Sequence, residues 1–336
     1  MDDRILLAHG SGGVLSHELV RDVFVRRFAN PVLNDLGDAA VLDQLPPGRM
    51  ALTTDSYVVQ PIFFPGGDIG TLAVCGTVND LAVAGATPLF LSAGFILEEG
   101  LSLETLEHVV HSMAEMAQEA GVQIITGDTK VVESGAADEL FINTAGVGIV
   151  PPGVDLAPAN LRPGDVLLVN GTVGDHGIAV MIQREGMDFS SALQSDCAPL
   201  NGLIARVLDA APGAVRCMRD ATRGGLATVL NEWAEAGVGI EIEEAAIPVR
   251  EEVRAACEFL GLDPLYAANE GKVVVATAPE AADAALAALR AHPLGHDAAI
   301  IGRVTEEHAG RVALRTPYGA RRVLLMLTGA QLPRIC

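Results

Sequence analysis

Gly70-Thr71-Leu72-Ala73-Val74-Cys75-Gly76-Thr77-Val78-Asn79-Asp80-Leu81-Ala82-Val83-Ala84-Gly85 is the stretch that decides how the first half of the chain folds. Between Leu72 and Gly85 only Thr77, Asn79 and Asp80 are polar. A helix that is apolar almost all round is a buried helix, so this segment is predicted to run through a core with other elements packed around it. Thr77 and Asp80 fall on one face, three residues apart. A carboxylate on such a helix has to be paired, hydrogen-bonded or bound to a metal ion. The alternative is a single wet stripe with Asp80 in water.

Working outward, the pattern alternates strands with two long helices. A glycine loop, Ala8-His9-Gly10-Ser11-Gly12-Gly13, precedes a predicted helix over 15–27. Such a loop either presents N–H groups to phosphate or serves as a hinge, and it lacks the Gly-Lys-Ser/Thr of a Walker A motif. Strands are predicted over 36–42, 50–59, 88–97, 122–126 and 141–150, with a second helix over 102–121 started by Ser102. Asp38 and Asp55 sit in the first two of these strands, where aspartate is disfavoured. The fourth ends in Gly127-Asp128-Thr129-Lys130, where an acid and a base just after a glycine at a strand end mark a place for chemistry, with a plain turn as the alternative.

Pro151-Pro152-Gly153, Pro158 and Pro163-Gly164 then break the pattern, which places a domain boundary near 152. Beyond it, strands are predicted over 165–170, 215–219, 238–243, 272–278, 299–304 and 323–327. Helices are predicted over 178–185, 201–209, 226–236, 249–260 and 279–291, and 187–199 reads as a loop. The glycines and threonine of Asp220-Ala221-Thr222-Arg223-Gly224-Gly225 open a helix and make an anion site. Asp220 there repels a bare phosphate unless a metal ion lies between them. Glu270 beside Lys272 has the plainer reading of a surface ion pair.

The fold class expected is α/β (α+β), in two mixed domains at 1–152 and 153–328 with a flexible tail at 329–336. The 336 residues suit two domains. Half of them are hydrophobic and only 4% aromatic, so the cores must be built from Ala, Val, Leu and Ile. A net charge of −21 argues against nucleic acid and against an anionic membrane as partners. The start Met1-Asp2-Asp3-Arg4 shows no signal peptide, and no apolar run is long enough for a membrane span. Cys75, Cys197, Cys217, Cys257 and Cys336 are widely spaced without a C-x-x-C, which points to free thiols in a reducing cytoplasm.

Five aspartates, Asp38, Asp55, Asp80, Asp128 and Asp220, stand at glycine turns, at strand ends or in the buried helix. Oxygen ligands without a Cys/His cluster point to Mg²⁺ rather than zinc, and Mg²⁺ held by scattered carboxylates usually bridges to substrate phosphates. The last residues, Thr328-Gly329-Ala330-Gln331-Leu332-Pro333-Arg334-Ile335-Cys336, have a reach on the order of 30 Å beyond the final strand. A terminal cysteine is either a frayed end or a carrier thiol. The residues taken alone indicate a Mg-nucleotide enzyme with a terminal thiol.

Leu36-Gly37-Asp38-Ala39-Ala40-Val41, Thr54-Asp55-Ser56, Thr77-Val78-Asn79-Asp80-Leu81-Ala82, Gly127-Asp128-Thr129 and Arg219-Asp220-Ala221-Thr222-Arg223-Gly224-Gly225 resemble an ATP-binding superfamily. It includes aminoimidazole ribonucleotide synthetase, selenide-water dikinase and thiamine-monophosphate kinase. Within it, Gly127-Asp128-Thr129-Lys130-Val131-Val132 and the ending Pro333-Arg334-Ile335-Cys336 are similar to the HypE carbamoyl dehydratases of [NiFe]-hydrogenase maturation. The resemblance implies N-terminal domains paired into a dimeric β-barrel, with ATP near that interface. It implies Asp38, Asp80 and Asp220 as Mg²⁺ ligands, and Asp55, Asp128, Asn79 and Thr129 as part of the nucleotide site. It further implies that a HypF carbamoyltransferase loads Cys336, that ATP-dependent dehydration turns the S-carboxamide into an S-cyanide, and that a HypC–HypD iron scaffold receives the cyanide. Glu270 is implied as the base, with Lys130 assisting.

Other readings are a selenide-water dikinase, disfavoured because the 8–13 loop has no cysteine, a small-molecule kinase, which has no use for Cys336, and a non-catalytic nucleotide-switched carrier. The terminal carboxylate is expected to raise the Cys336 thiol pKa, Arg334 to offset part of that, and Pro333 to stiffen the approach.

Overall fold

The computed structural model describes residues 4–42, 44–186, 193–329, 332 and 334–336. Helix α1 (Val14–Leu19) runs on through π-helical turns over Val20–Val25 to Phe28. Strand β1 (Arg49–Tyr57), helix α2 (Ile69–Val83), strand β2 (Thr87–Glu98), helix α3 (Leu103–Ala120) and strands β3 (Gln123–Val132) and β4 (Leu140–Val150) follow. They form a four-stranded sheet in the order β1-β4-β2-β3, antiparallel except for the β2–β3 pair. One face of this sheet is covered by α2 and α3.

α2 is the buried helix expected from its composition. Asp68 caps it, accepting from the N–H groups of Gly70 at 2.7 Å and Thr71 at 2.9 Å. Gly85, with φ of +80°, turns the chain at its end. Ile69 to Asn79 and Leu81 to Val83 are all buried, and the helix packs on β1, β4 and α3.

The second half adds β5 (Val166–Val169), α4 (Asp175–Arg184), α5 (Asn201–Ala210), β6 (Val215–Asp220), α6 (Gly225–Ala234), β7 (Gly239–Glu243), α7 (Glu251–Leu260), β8 (Val273–Thr277), α8 (Ala282–Arg290), β9 (Ala299–Thr305), β10 (Val312–Arg315) and β11 (Arg321–Leu324). Their seven-stranded sheet has the order β11-β10-β7-β9-β5-β8-β6. α2 also packs on α5 and β6, so one apolar helix joins the two sheets. The polar clasp there is Asn79, 1% exposed. Its Nδ2 donates to the carbonyls of Ala198 at 3.1 Å and Glu270 at 3.2 Å, and its Oδ1 accepts from Leu200 N–H at 2.7 Å.

Four elements differ from the sequence reading. The 36–42 stretch is not a strand: Leu36 takes a left-handed φ of 48°, which breaks an extended path. β3 does not end at Gly127 but runs to Val132, so Gly127-Asp128-Thr129-Lys130 lies within a strand. Gly127 serves a close approach there, since a Cβ would sit 2.4 Å from the Ala93 carbonyl oxygen. β10 was missed because its apolar run is only Val312-Ala313-Leu314, too short to read as a strand, and the last strand stops at Leu324.

Replacing Asn79 by Leu removes three hydrogen bonds and strands their buried partners. The expected loss is about 3 kcal/mol, read as a lowered urea midpoint with an unchanged m-value.

Candidate active site

α2, β1 and the start of α6 together wall a cavity of about 420 Å³ lined by Asp55, Asp80, Asp220, Glu270 and Cys336, with Arg219 and Arg223 at its rim. The strand periodicity places Asp55 on the inner face of β1, toward α2. Asp80 follows it from the helix, its Oδ2 accepting from the Thr53 hydroxyl at 2.8 Å. Asp220 ends β6, where Gly224 and Gly225, with φ of +72° and +60°, open α6. Gly225 is required there, because a Cβ would meet the Ala267 carbonyl at 2.5 Å.

These acids repel one another in a dry place. Burial, then Asp80, raises the Asp220 carboxyl from its usual 3.8 to about 7. Burial also raises Asp80, against the Thr53 hydrogen bond. Glu270, 3% exposed, is pushed well above the usual carboxylate range, first by burial and then by Cys197 and Asp220. A cluster of this kind fits a hard cation. Among the described residues no three His, Cys, Asp or Glu side chains stand close enough to hold one by themselves. That suits Mg²⁺, which keeps several waters and completes its shell with phosphate oxygens.

Glu270 is held by its backbone. Asp196 accepts from the N–H groups of Glu270 at 3.1 Å and Gly271 at 3.2 Å and from Lys272 Nζ at 2.8 Å, while Asn79 holds the Glu270 carbonyl. The expected Glu270–Lys272 surface pair is therefore absent: both residues are buried and Lys272 pairs with Asp196. Asn79, expected at the nucleotide, has its donor and acceptor both engaged in this scaffold.

The tail is docked rather than loose. Val58 N–H donates to the Cys336 carbonyl and Gln60 N–H to the Arg334 carbonyl, both at 3.2 Å. Ile335 is 5% exposed. Burial, then Glu270, pushes the Cys336 thiol up to about 12, and it is Arg223 that opposes this. Arg334 does not offset the thiol as expected; its guanidinium binds Asp138, Gln60 Oε1 and the Val58 carbonyl. The effect anticipated for Pro333 lies outside the described residues.

The remaining expected residues lie elsewhere. β1 and β3 are opposite edges of the sheet, three strand spacings or roughly 14 Å apart. Asp128 and Lys130 project from the outer face of β3, exposed and paired to each other at 2.7 Å. Thr129 is half-buried between these two exposed residues, which puts it on the inner face. Asp38 belongs to the exposed 36–42 stretch beside this edge. So the sequence-predicted site resolves into two groups within one chain. Sequence reasoning missed Asp196, His176 and Tyr57. Tyr57 is buried against Gly76, where a Cβ would come within 2.2 Å of its hydroxyl, and only the glycine inside a helix hinted at that contact.

Residues 36–150 match the AIR synthase related protein N-terminal domain family, and residues 162–315 match its C-terminal domain family. Carbamoyl dehydratase HypE of Rhodobacter capsulatus is 54% identical over 339 residues, covering 100% of this chain and 99% of that one. The chain belongs to the HypE carbamoyl dehydratase family. A crystal structure of hydrogenase maturation protein HypE in complex with ATP superposes with a TM-score of 0.94 at 52% identity, over 98% of this chain and 99% of that one. The HypE of a HypE–HypF complex matches with a TM-score of 0.81 at 49% identity, over 92% and 99% of the two chains. The expected α/β fold and HypE membership are thus borne out, and the match takes in both groups of site residues.

Without a bound cation the raised Asp220 pKa makes stability fall with pH. The folded state keeps the Asp220 proton up to about 7, whereas the unfolded chain loses it near 3.8, so stability declines across that window and stays low above it. Asp220→Asn is therefore expected to gain on the order of 2 kcal/mol at pH 8 and little at pH 4, measured by chemical unfolding without nucleotide.

Proposed function

We propose that the chain uses ATP to dehydrate a carbamoyl group carried on its own Cys336, yielding an S-cyanide that supplies the cyanide ligands of the [NiFe]-hydrogenase iron. The observation that carries this reading is the terminal thiol folded back into the cavity that holds Asp80, Asp220 and Glu270. Phosphoryl transfer to the amide oxygen converts a poor leaving group into a good one. Asp80 and Asp220, with Asp55 beside them, would hold a Mg²⁺ ion, which would supply neutralisation of the phosphate charge. The Arg219 and Arg223 side chains line the same space.

Glu270 takes a proton from the amide nitrogen. It sits in the cavity with the Cys336 sulfur, and because burial raises its pKa it acts as a base only once ionised, a state that a cation held by Asp80 and Asp220 would favour. Loss of the second N–H proton and of phosphate leaves the nitrile on sulfur. HypF delivers the carbamoyl group to the undocked tail, and a HypC–HypD scaffold takes the cyanide. We assign 1–152 to the nucleotide-binding and dimerising domain, 153–328 to the second domain and 329–336 to the arm.

The two groups of site residues fit a homodimer. The outer sheet face exposes Met50 at 65%, Leu52 at 70% and Ile96 at 43%, an apolar surface that closure into a β-barrel covers. In such a barrel the β3 edge of one subunit, with Asp38, Asp128, Thr129 and Lys130, meets the β1 edge of the other. Lys130 then assists a Glu270 in the partner. No helix of the described residues is long and apolar enough to cross a membrane.

Glu270→Gln and Lys130→Ala homodimers are each expected to accumulate carbamoylated Cys336 without nitrile, at least about 10²-fold slower than wild type. Mixed heterodimers rebuild one intact site, so roughly half of the wild-type rate per dimer is expected to return. The check is nitrile formation, measured by intact mass with HypF, carbamoyl phosphate and ATP. Full activity in Glu270→Gln removes the base, and no recovery in the mixture removes the shared site.

A further inference from the structure

The docked tail is held by the carbonyls of its last three residues, with Arg334 at a left-handed φ of 55°. On one side the Arg334 and Cys336 carbonyls accept from the backbone N–H groups of Gln60 and Val58, each at 3.2 Å. Arg184, reaching over from α4, also donates to the Arg334 carbonyl and donates to the Gln60 carbonyl at 2.7 Å. On the other side lies the Ile335 carbonyl, whose partner is His176 Nε2 at 2.6 Å.

His176 is fully buried on the first turn of α4, with its ring edge-on to Phe64 at 5.3 Å between centroids. A carbonyl oxygen only accepts, so Nε2 carries the proton. Nδ1, 2.8 Å from Ser195 Oγ, is then the acceptor and the hydroxyl donates to it. The same hydroxyl oxygen accepts from Cys197 N–H at 3.1 Å, which fixes its rotor. The chain Cys197 N–H, Ser195 Oγ–H, His176 Nε2–H, Ile335 carbonyl therefore runs in one direction. Its partners leave the ring one tautomer.

We propose that His176 is the positioning residue that seats the C-terminal arm, by closing the second side of its backbone through the Ile335 carbonyl. None of the hydrogen bonds that seat the described residues of the arm involves the Cys336 sulfur. The seat reads the main chain and the Arg334 and Ile335 side chains but not the cargo, so free thiol, carboxamide and cyanide dock through the same contacts. This deepens the reading of Cys336 as the substrate arm, yet it is testable without turnover.

The test is the rate at which iodoacetamide alkylates Cys336 in the full-length protein, followed by mass on the C-terminal fragment released at Met326. Docked, the thiol is shielded and poorly ionised; undocked, it reacts as an ordinary thiol. His176→Leu, which removes the donor, is expected to raise the rate about tenfold, the size of one lost buried hydrogen bond. His176→Gln, whose amide nitrogen can stand in for Nε2, is expected to stay near the wild-type rate. A wild-type rate in His176→Leu overturns the proposal. So does a His176→Gln rate as high as that of His176→Leu, which makes ring packing the cause. Should His176→Leu lose cooperative unfolding, Ser195→Ala keeps the ring and frees its tautomer, with a rise of about threefold expected and a wild-type rate overturning the proposal. Nitrile formation by the wild type with unchanged alkylation in His176→Leu removes only the His176 seat; faster alkylation in His176→Leu when the wild type itself forms no nitrile leaves the seat and removes the dehydratase reading.

Discussion

The carboxamide of Asn79 is the point on which the rest of the structure depends. It stands on a helix that is otherwise almost wholly apolar, and it satisfies two carbonyls and one N–H from the other half of the chain. One of those carbonyls belongs to Glu270. A buried amide in a low-dielectric contact is costly if any partner is lost, so the contact has one good geometry. That geometry fixes the base relative to Asp80, one residue further along the same helix. Asp196 secures the same base from the opposite side through its N–H. The carboxyl proposed as the base is thus set by the buried side chains of Asn79 and Asp196.

The cavity is built at an electrostatic cost. Asp55, Asp80, Asp220 and Glu270 share a volume in which none has a buried cation as direct partner, and the arginines nearby are at the rim. In water such charges separate; here the fold forbids it. The consequence is a site in which burial raises the pKa of Asp80, Asp220 and Glu270, and which gains most from binding a cation together with phosphates. The arm brings Cys336 into this same environment. Its thiol, pushed to about 12, is a poor nucleophile when docked. Loading of the sulfur and chemistry on its cargo therefore belong to two positions of the arm, which suits delivery by a separate transferase.

Much of this was legible in the residues because it was written as contradiction. An aspartate in an apolar helix, an aspartate in a strand and an aspartate before a glycine-rich helix start each break a local preference, and Asp55, Asp80 and Asp220 do come together. A cysteine at a free end breaks none, and only its similarity to a family gave it weight. Asp196 and His176 were invisible for the opposite reason. Each looks ordinary in sequence, in a loop and at a helix start, and each acts through partners more than 70 residues away. Asp38 and Lys130 were read as members of one set with Asp80 and Asp220, but the single chain keeps them on the far edge of the sheet. The Leu36 backbone and the Gly127 close approach, which shape that edge, carry no periodic signal.

The central claim is that the arm's own amide oxygen leaves as phosphate in the Asp80–Asp220–Glu270 cavity. It is tested most directly by loading Cys336 with a carbamoyl group labelled with heavy oxygen at its carbonyl, adding ATP in unlabelled water and following the label. The account predicts heavy oxygen in the inorganic phosphate released, one atom for each nitrile formed on Cys336. Heavy oxygen appearing in water while the phosphate stays light would contradict it.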